Sequence, residues 1–335
     1  MKYKILSTIF LPGLAVLVIA IGVTVNRSSA QDSAGPAPKD ADRANRLAEM
    51  KQIAGSFQAV VLDKGTETLV PPLREPLHRW SDPTRESNDG ALWAWGAAGR
   101  PIAIMAIELY PQDKTFGTVW ALEFVSLSTG PIKVEGGEHF NRYYPDIAPP
   151  IPGGRVRWSP AKGGLAFSEI SDAAAPASTE AERLRQMTSL LKRFSAREFY
   201  NIKSQEYALR PLPHPIHRYN EAASGLLDGA IFIYANETNP EVLLVIEARR
   251  GAGSPTWSYA AAPLTRAEPT LRLDQKDVWT HPFTMVPSPD DAYFLARKPR
   301  NASASDSTTN KPESAPPSKK TGGRPGSSEP GASAP

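Results

Sequence analysis

Two stretches decide the fold: Pro72–Glu108, PLREPLHRWSDPTRESNDGALWAWGAAGRPIAIMAIE, and Pro211–Glu247, PLPHPIHRYNEAASGLLDGAIFIYANETNPEVLLVIE. Laid over each other at a constant offset of 139, they need no gap. Eleven of 37 positions are identical, where about two are expected at ordinary residue frequencies. The identities are Pro72/Pro211, Leu73/Leu212, Pro76/Pro215, His78/His217, Arg79/Arg218, Asp89/Asp228, Gly90/Gly229, Ala91/Ala230, Pro101/Pro240, Ile107/Ile246 and Glu108/Glu247. Upstream, at offset 137, Arg46, Leu47, Met50, Phe57 and Ala59 lie over Arg183, Leu184, Met187, Phe194 and Ala196. Downstream, Trp120 and Leu127 lie over Trp257 and Leu264 at the same offset. The sequence therefore reads as two copies of one module, residues 42–130 and 180–268.

Each copy opens with helical periodicity: Leu47, Met50, Ile53, Ala54 and Phe57 in the first, Leu184, Met187, Leu190, Leu191 and Phe194 in the second. Thr179 and Glu182 form a capping-box pattern at the second start. Short strands follow, beginning with Phe57–Leu62 and Glu67–Leu73. Asp89-Gly90 and Asp228-Gly229 read as turns before apolar runs. In those runs Trp93 and Trp95, and Phe232 and Tyr234, line one face of a strand. Ile102–Leu109 and Val242–Ala248 are apolar on both faces, as central strands are. Thr118–Ser128 and Thr256–Thr265 supply one more strand each. A helix followed by short strands and turns predicts an α+β fold, mainly antiparallel β. The predicted unit is an internally duplicated module, a helix followed by a β-meander, with the copies packed as two domains or as one pseudo-twofold unit.

The ends differ from this middle. Met1-Lys2-Tyr3-Lys4 is a short basic segment, and Ile5–Val25 is free of charge. Small residues at Ser28 and Ala30 fit cleavage before Gln31. An apolar run of this length also fits a membrane anchor, so residues 1–30 read as a signal peptide or as an N-terminal anchor. Either reading exports the rest of the chain, to the periplasm, the cell surface or the medium. Residues 31–41 read as a flexible spacer, 42–170 as the first repeat with its extension, 171–178 as a linker and 179–300 as the second repeat. A further Pro-rich break runs from Tyr144 to Gly154. Residues 301–335 are rich in Ser, Pro, Gly, Ala and Lys, without aromatic or large aliphatic residues, which predicts a disordered tail.

Composition excludes several chemistries. There is no Cys among 335 residues, so disulfides, thiolate metal sites and Cys nucleophiles are ruled out. The net charge is +3 and the basic residues are dispersed, which argues against nucleic acid as a partner. No zinc-protease, nucleophile-elbow, phosphate-loop, dinucleotide or EF-hand motif occurs. His214 and His217 could offer two imidazoles to a metal, but Pro215 lies between them and no third ligand is evident, so no metal and no cofactor are expected.

The best candidate polar set is the one both copies carry: His78, Arg79, Asp89 and Glu108, with His217, Arg218, Asp228 and Glu247. Acid, base and cation together could perform acid–base work or clamp an anion. The simpler reading is scaffold. Glu108 ends an apolar strand and needs a partner, and the fork of Arg79 is suited to it. Asp89 then serves as a turn residue. The aromatic face of Trp93, Trp95, Phe232 and Tyr234 reads either as core or as a platform for glycans or peptides.

The signature P-L-H-R-W…D-G-A-L-W-A-W…P…I-E, repeated as P-I-H-R-Y…D-G-A-I-F-I-Y…N-P-E-V-L-L-V-I-E, resembles uncharacterised exported proteins of planctomycete bacteria over residues 45–290. The resemblance implies a bacterial envelope setting and no particular activity. Three functional readings follow, with no catalytic residue assigned in the first. It is a non-enzymatic envelope protein, binding or structural, whose partner is an envelope protein or polysaccharide and which touches the membrane only through an uncleaved N-terminal segment. The second is a periplasmic hydrolase or sugar-active enzyme using Glu108 or Glu247. The third is a small-ligand or glycan-binding module with an aromatic pocket.

Overall fold

The structure, a computed structural model, describes residues 38–300 apart from 83–86, 97, 114–116, 143–149, 200–204 and 252. The expected signal or anchor and the C-terminal tail lie outside the described residues. The first helical period forms α1 (Pro38–Gly55), which buries Met50, Ile53 and Ala54. After it come β1 (Phe57–Asp63) and β2 (Thr66–Val70). A meander follows: β3 (His78–Asp82), β4 (Ser87–Trp95), β5 (Ala103–Asp113) and β6 (Gly117–Ser126). Shorter strands complete this part of the chain: β7 (Ile132–Gly136), β8 (Asn141–Arg142), β9 (Val156–Trp158) and β10 (Ser168–Glu169).

The second part starts with α2 (Glu180–Leu191). The Thr179 hydroxyl caps it, accepting from the Glu182 backbone N–H at 3.3 Å. Next are β11 (Phe194–Phe199), β12 (Glu206–Pro211), β13 (His217–Glu221), β14 (Leu226–Asn236), β15 (Asn239–Arg249) and β16 (Thr256–Pro263). The chain ends in β17 (Glu268–Leu273), β18 (Lys276–Thr280) and β19 (Tyr293–Pro299). The fold is α+β and mainly antiparallel β, as expected.

Strands join in the orders β2-β1-β7-β9, β3-β4-β5-β6-β19-β8 and β10-β16-β15-β14-β12-β11-β17-β18, with β13 beside β14. Alternation along the central strands builds three cores. Trp93, Trp95, Met105 and Ile107 face one way, toward Met50, Phe57 and Val134. Leu92, Ala94, Ile104 and Ala106 face the other way and meet Ile231, Ile233, Leu243 and Val245, so the two large sheets pack face to face. Phe232, Tyr234, Leu244 and Ile246 lie beneath Met187, Leu190 and Leu271. All four residues of the expected aromatic face are at most 3% exposed. They are core, not a platform.

Two terminal strands cross over. β10 follows the first meander in sequence but pairs with β16, and β19 follows the second but pairs with β6. The described residues from Arg43 onward form one compact unit. Residues 171–178 form no helix or strand, but their carbonyls are engaged. Trp257 Nε1 donates to Ala174, and the Arg183 guanidinium donates to Ala177 and Ser178.

The expected turns at Asp89-Gly90 and Asp228-Gly229 lie instead inside β4 and β14. The glycines serve the sheet surface. Gly90 pairs with Trp80, and Gly229 with Tyr219. The rings lie so close that an added Cβ would meet Trp80 Cε2 or Tyr219 Cε2 at 2.5 Å. Gly90→Ala and Gly229→Ala are each expected to destabilise the chain by about 1–3 kcal/mol through overpacking. Urea unfolding of the two variants measures this.

Candidate functional site

The shared polar set divides between two jobs. Asp89 is 1% exposed, on the outer face of β4. Arg79 of β3 grips it with Nε at 2.8 Å and Nη2 at 2.6 Å. Arg46 of α1 donates Nε to the same carboxylate at 2.9 Å, and Arg79 Nη2 also donates to the Arg43 carbonyl. A helix is thereby clamped to a sheet through one buried carboxylate. The arrangement recurs around Asp228, also 1% exposed: Arg218 Nε and Arg183 Nε both donate at 2.9 Å, and Arg218 Nη2 reaches the Glu180 carbonyl. The expected pairing of Arg79 with Glu108 is therefore corrected, and the matching Arg218 likewise binds Asp228 and not Glu247. Side chains alternate along a strand, so Arg79 and Asp89 share the outer face while Trp80 and Glu108 lie on the inner one.

Glu108 and Glu247 face the seam between the large sheets, opposite Gly90 and Gly229. Glu247 is fully buried and accepts three bonds: from Arg100 Nη1 at 2.6 Å, Tyr219 Oη at 2.8 Å and Arg249 Nε at 2.7 Å. Arg100 comes from the loop before β5, so this ion pair ties one sheet to the other. Burial, reinforced by the negative charge of Glu247, pushes the Tyr219 phenol well above its ordinary pKa, which keeps it a donor. Glu108 is 3% exposed and accepts from Tyr110 Oη at 2.8 Å.

The imidazoles stand apart from the carboxylates. His78 stacks on Trp80 with ring centroids 5.9 Å apart, and His217 on Tyr219 at 5.8 Å. No hydrogen bond joins either to a carboxylate among the described residues, and burial lowers the pKa of both. His214 is exposed. Among the described residues no group of three or more His, Asp and Glu is placed to hold a metal ion.

A polar cavity of about 370 Å³ opens at the seam, lined by Tyr110, Glu123, Asn239, Glu241, Arg266 and Leu295 among others. It contains none of the residues singled out from the sequence. Glu123 accepts from the buried Tyr293 hydroxyl at 2.7 Å, and Asn239 Nδ2 donates to Glu241 at 2.9 Å. Sequence reasoning also missed Arg46, Arg183, Arg100 and Arg249. Arg46 and Arg183 carried a usable signal, since the two aligned segments each place an Arg on the helix. Arg100 carried none, because Asn239 stands at the matching position.

Comparison with known protein families, with curated sequences and with solved structures returned no match.

Two predictions follow from these contacts. Asp228→Ala leaves two guanidiniums without their buried partner and is expected to destabilise by about 3–5 kcal/mol, read by chemical unfolding. His78 and His217 have folded pKa values below the unfolded 6.5. The unfolded chain therefore binds more protons as pH falls, and their contribution, full above about pH 6.5, is lost below it. A His78→Gln, His217→Gln double variant should show a shallower fall of Tm between pH 7 and pH 5 than the parent.

Proposed function

We propose that this is an exported, non-enzymatic cell-envelope protein with a binding or structural role, built from an internally duplicated module. The observation that carries the non-enzymatic reading is the burial of the polar set. Asp89 and Asp228 each hold two arginines, and Glu247 is fully buried under two guanidiniums and a phenol. A general acid or base must reach a proton on its substrate, and these groups are turned into the protein. That weighs against the hydrolase reading through Glu108 or Glu247. An aromatic binding pocket has lost its basis, because the four rings are core.

Duplication is supported by bonds that recur at the sequence offsets. The Leu73 N–H donates to the Ala94 carbonyl as Leu212 does to Ile233, and Leu77 to Leu92 as Ile216 does to Ile231. The Leu127 N–H reaches the Ile102 carbonyl as Leu264 reaches Glu241. Phe57 pairs with Gly136 as Phe194 pairs with Leu273. Under this reading β10 and β19 are equivalent strands exchanged between the halves, as in a strand-swapped dimer joined into one chain.

Export is supported by the basic, apolar and small-residue order of Met1–Ala30. No helix among the described residues is long and apolar enough to cross a membrane. The resemblance to planctomycete exported proteins agrees with an envelope setting.

Two measurements test the proposal. Expression of the full chain in a bacterial host should place it outside the cytoplasm, with a mature N-terminus at Gln31 by mass spectrometry if the segment is a signal. Recovery only from the cytosol refutes export. Glu247→Gln should destabilise by about 3–5 kcal/mol, the range for breaking a buried ion pair. A neutral or stabilising outcome would mark Glu247 as a group kept for activity at the expense of stability, and would revive the enzymatic reading.

A further inference from the structure

Two arginines share one buried carboxylate at the seam. Arg100 Nη1 donates to Glu247 Oε1 at 2.6 Å, and Arg249 Nε donates to Oε2 at 2.7 Å. Both guanidiniums also lie against the same ring, with their central carbons 4.8 Å and 5.9 Å from the centre of Phe167. Arg100 Nε donates in addition to the Leu127 carbonyl at 2.9 Å. Two cations are thereby held side by side over one anion. Neither belongs to the repeated polar set, since Asn239 and Tyr110 stand where an offset of 139 places their counterparts.

One carboxylate under two guanidiniums leaves a positive charge in excess, and three nitrogens present it. Arg100 Nη2 and both Nη atoms of Arg249 make no hydrogen bond, and none of the three is buried. Both side chains line an opening of about 420 Å³. Its other charged group, Glu221, is exposed and pairs with neither arginine. Leu69, Ile102 and Leu226 give the same opening an aliphatic wall. Leu69 is 64% exposed, the most exposed large hydrophobic side chain among the described residues. Guanidinium N–H groups match the two oxygens of a carboxylate, and an aliphatic wall matches an alkyl stem.

We propose that this opening binds a small aliphatic monocarboxylate, its head accepting from the free nitrogens of Arg100 and Arg249 and its stem lying along Leu69 and Ile102. The volume suffices for such a head and a short stem. Glu247 and Phe167 already hold both guanidiniums, so little side-chain freedom is lost on binding. Glu247 lies beneath the arginines and touches no ligand. The inference rests on the reading of the chain as a non-enzymatic binding protein, and gives that protein a ligand class. The ligand enters and leaves unchanged.

Hexanoate is the probe, titrated into the full-length chain by calorimetry, with hexanol as the uncharged control of equal stem and acetate as the head group alone. One saturable hexanoate site is expected, with acetate weaker and no site for hexanol. Arg249→Gln keeps a donor for Glu247 while removing a charge, and should weaken hexanoate by about tenfold or more. Glu221→Gln takes a like charge from the opening and should tighten binding several-fold. Leu69→Ser, at an exposed position, should weaken hexanoate and leave acetate unchanged; these last two variants stand as the test if Arg249→Gln fails to fold. Absence of hexanoate binding to the wild-type chain, equal binding of hexanol, or unchanged affinity in the folded variants would overturn the proposal. A folded, exported chain that ignores hexanoate would remove this ligand class and leave the proposed function standing.

Discussion

Strands that are apolar on both faces must be covered twice, and the architecture turns on that constraint. β5 and β15 alternate between two buried sides: Met105 and Ile107 against Ile104 and Ala106 in one, Leu244 and Ile246 against Leu243 and Val245 in the other. Burying each such side chain contributes about 1.5–3 kcal/mol for the larger ones, so neither face can be left wet. The inner faces cover each other at the seam. The outer faces need separate covers: α1 with the small sheet β2-β1-β7-β9 supplies one, and α2 with β11, β12 and β17, the far part of the same sheet, supplies the other. The whole layered order follows from that double demand, which is also why neither meander stands as a free β-sheet with one solvated side.

A cover must also be held in register, and apolar contact alone is non-directional. The buried aspartates supply direction. Asp89 takes bonds from a strand arginine and a helix arginine at once, and Asp228 does the same. Each arrangement is a buried carboxylate whose charge is met by forked donors from two elements, the condition under which a buried charge is tolerated. Replacing the whole cluster by apolar residues need not weaken the protein, whereas removing one member does. The clamps therefore specify how the helix docks more than they add to stability. The crossed strands β10 and β19 act in the same direction, since each hydrogen-bonds to a strand from the other part of the chain.

Much of this was legible in the chain. The helical periods, the capping box at Thr179 and most strands were readable because apolar spacing follows element geometry directly. The polar set was also visible, as a set, but its pairing was not. Arg79 was matched to Glu108 on chemistry alone, and the face on which each side chain emerges decides otherwise: Asp89 and Gly90 are adjacent, so they point to opposite sides of β4. Asp-Gly is the strongest short-range turn signal, and here it failed because the glycine is a landing place for a ring, at Trp80 and at Tyr219. The exchange of β10 and β19 left no trace, because two- and seven-residue strands joined by long connections carry no local mark of their partner. The cavity residues were equally silent. Asn239 and Glu241 stand in an aligned segment where the other half has Arg100 and Ile102, and identity was the signal being read.

Under the proposed duplication, that last point has a structural logic. On that reading, two equivalent halves facing each other would create every seam contact in pairs, and a self-complementary interface has no reason to keep a void. A site arises when one member of a pair changes and the other does not. Here the conserved part of the pair is packing: Gly90 and Gly229 beneath their rings, Glu108 and Glu247 at the seam, the arginine clamps outside. The part that differs is the group facing the glutamates, a guanidinium that reaches across in one half and a short amide beside a second carboxylate in the other. The repeated residues thus describe what holds the halves together. The unrepeated ones mark where the packing between the two sheets differs from one position to the other.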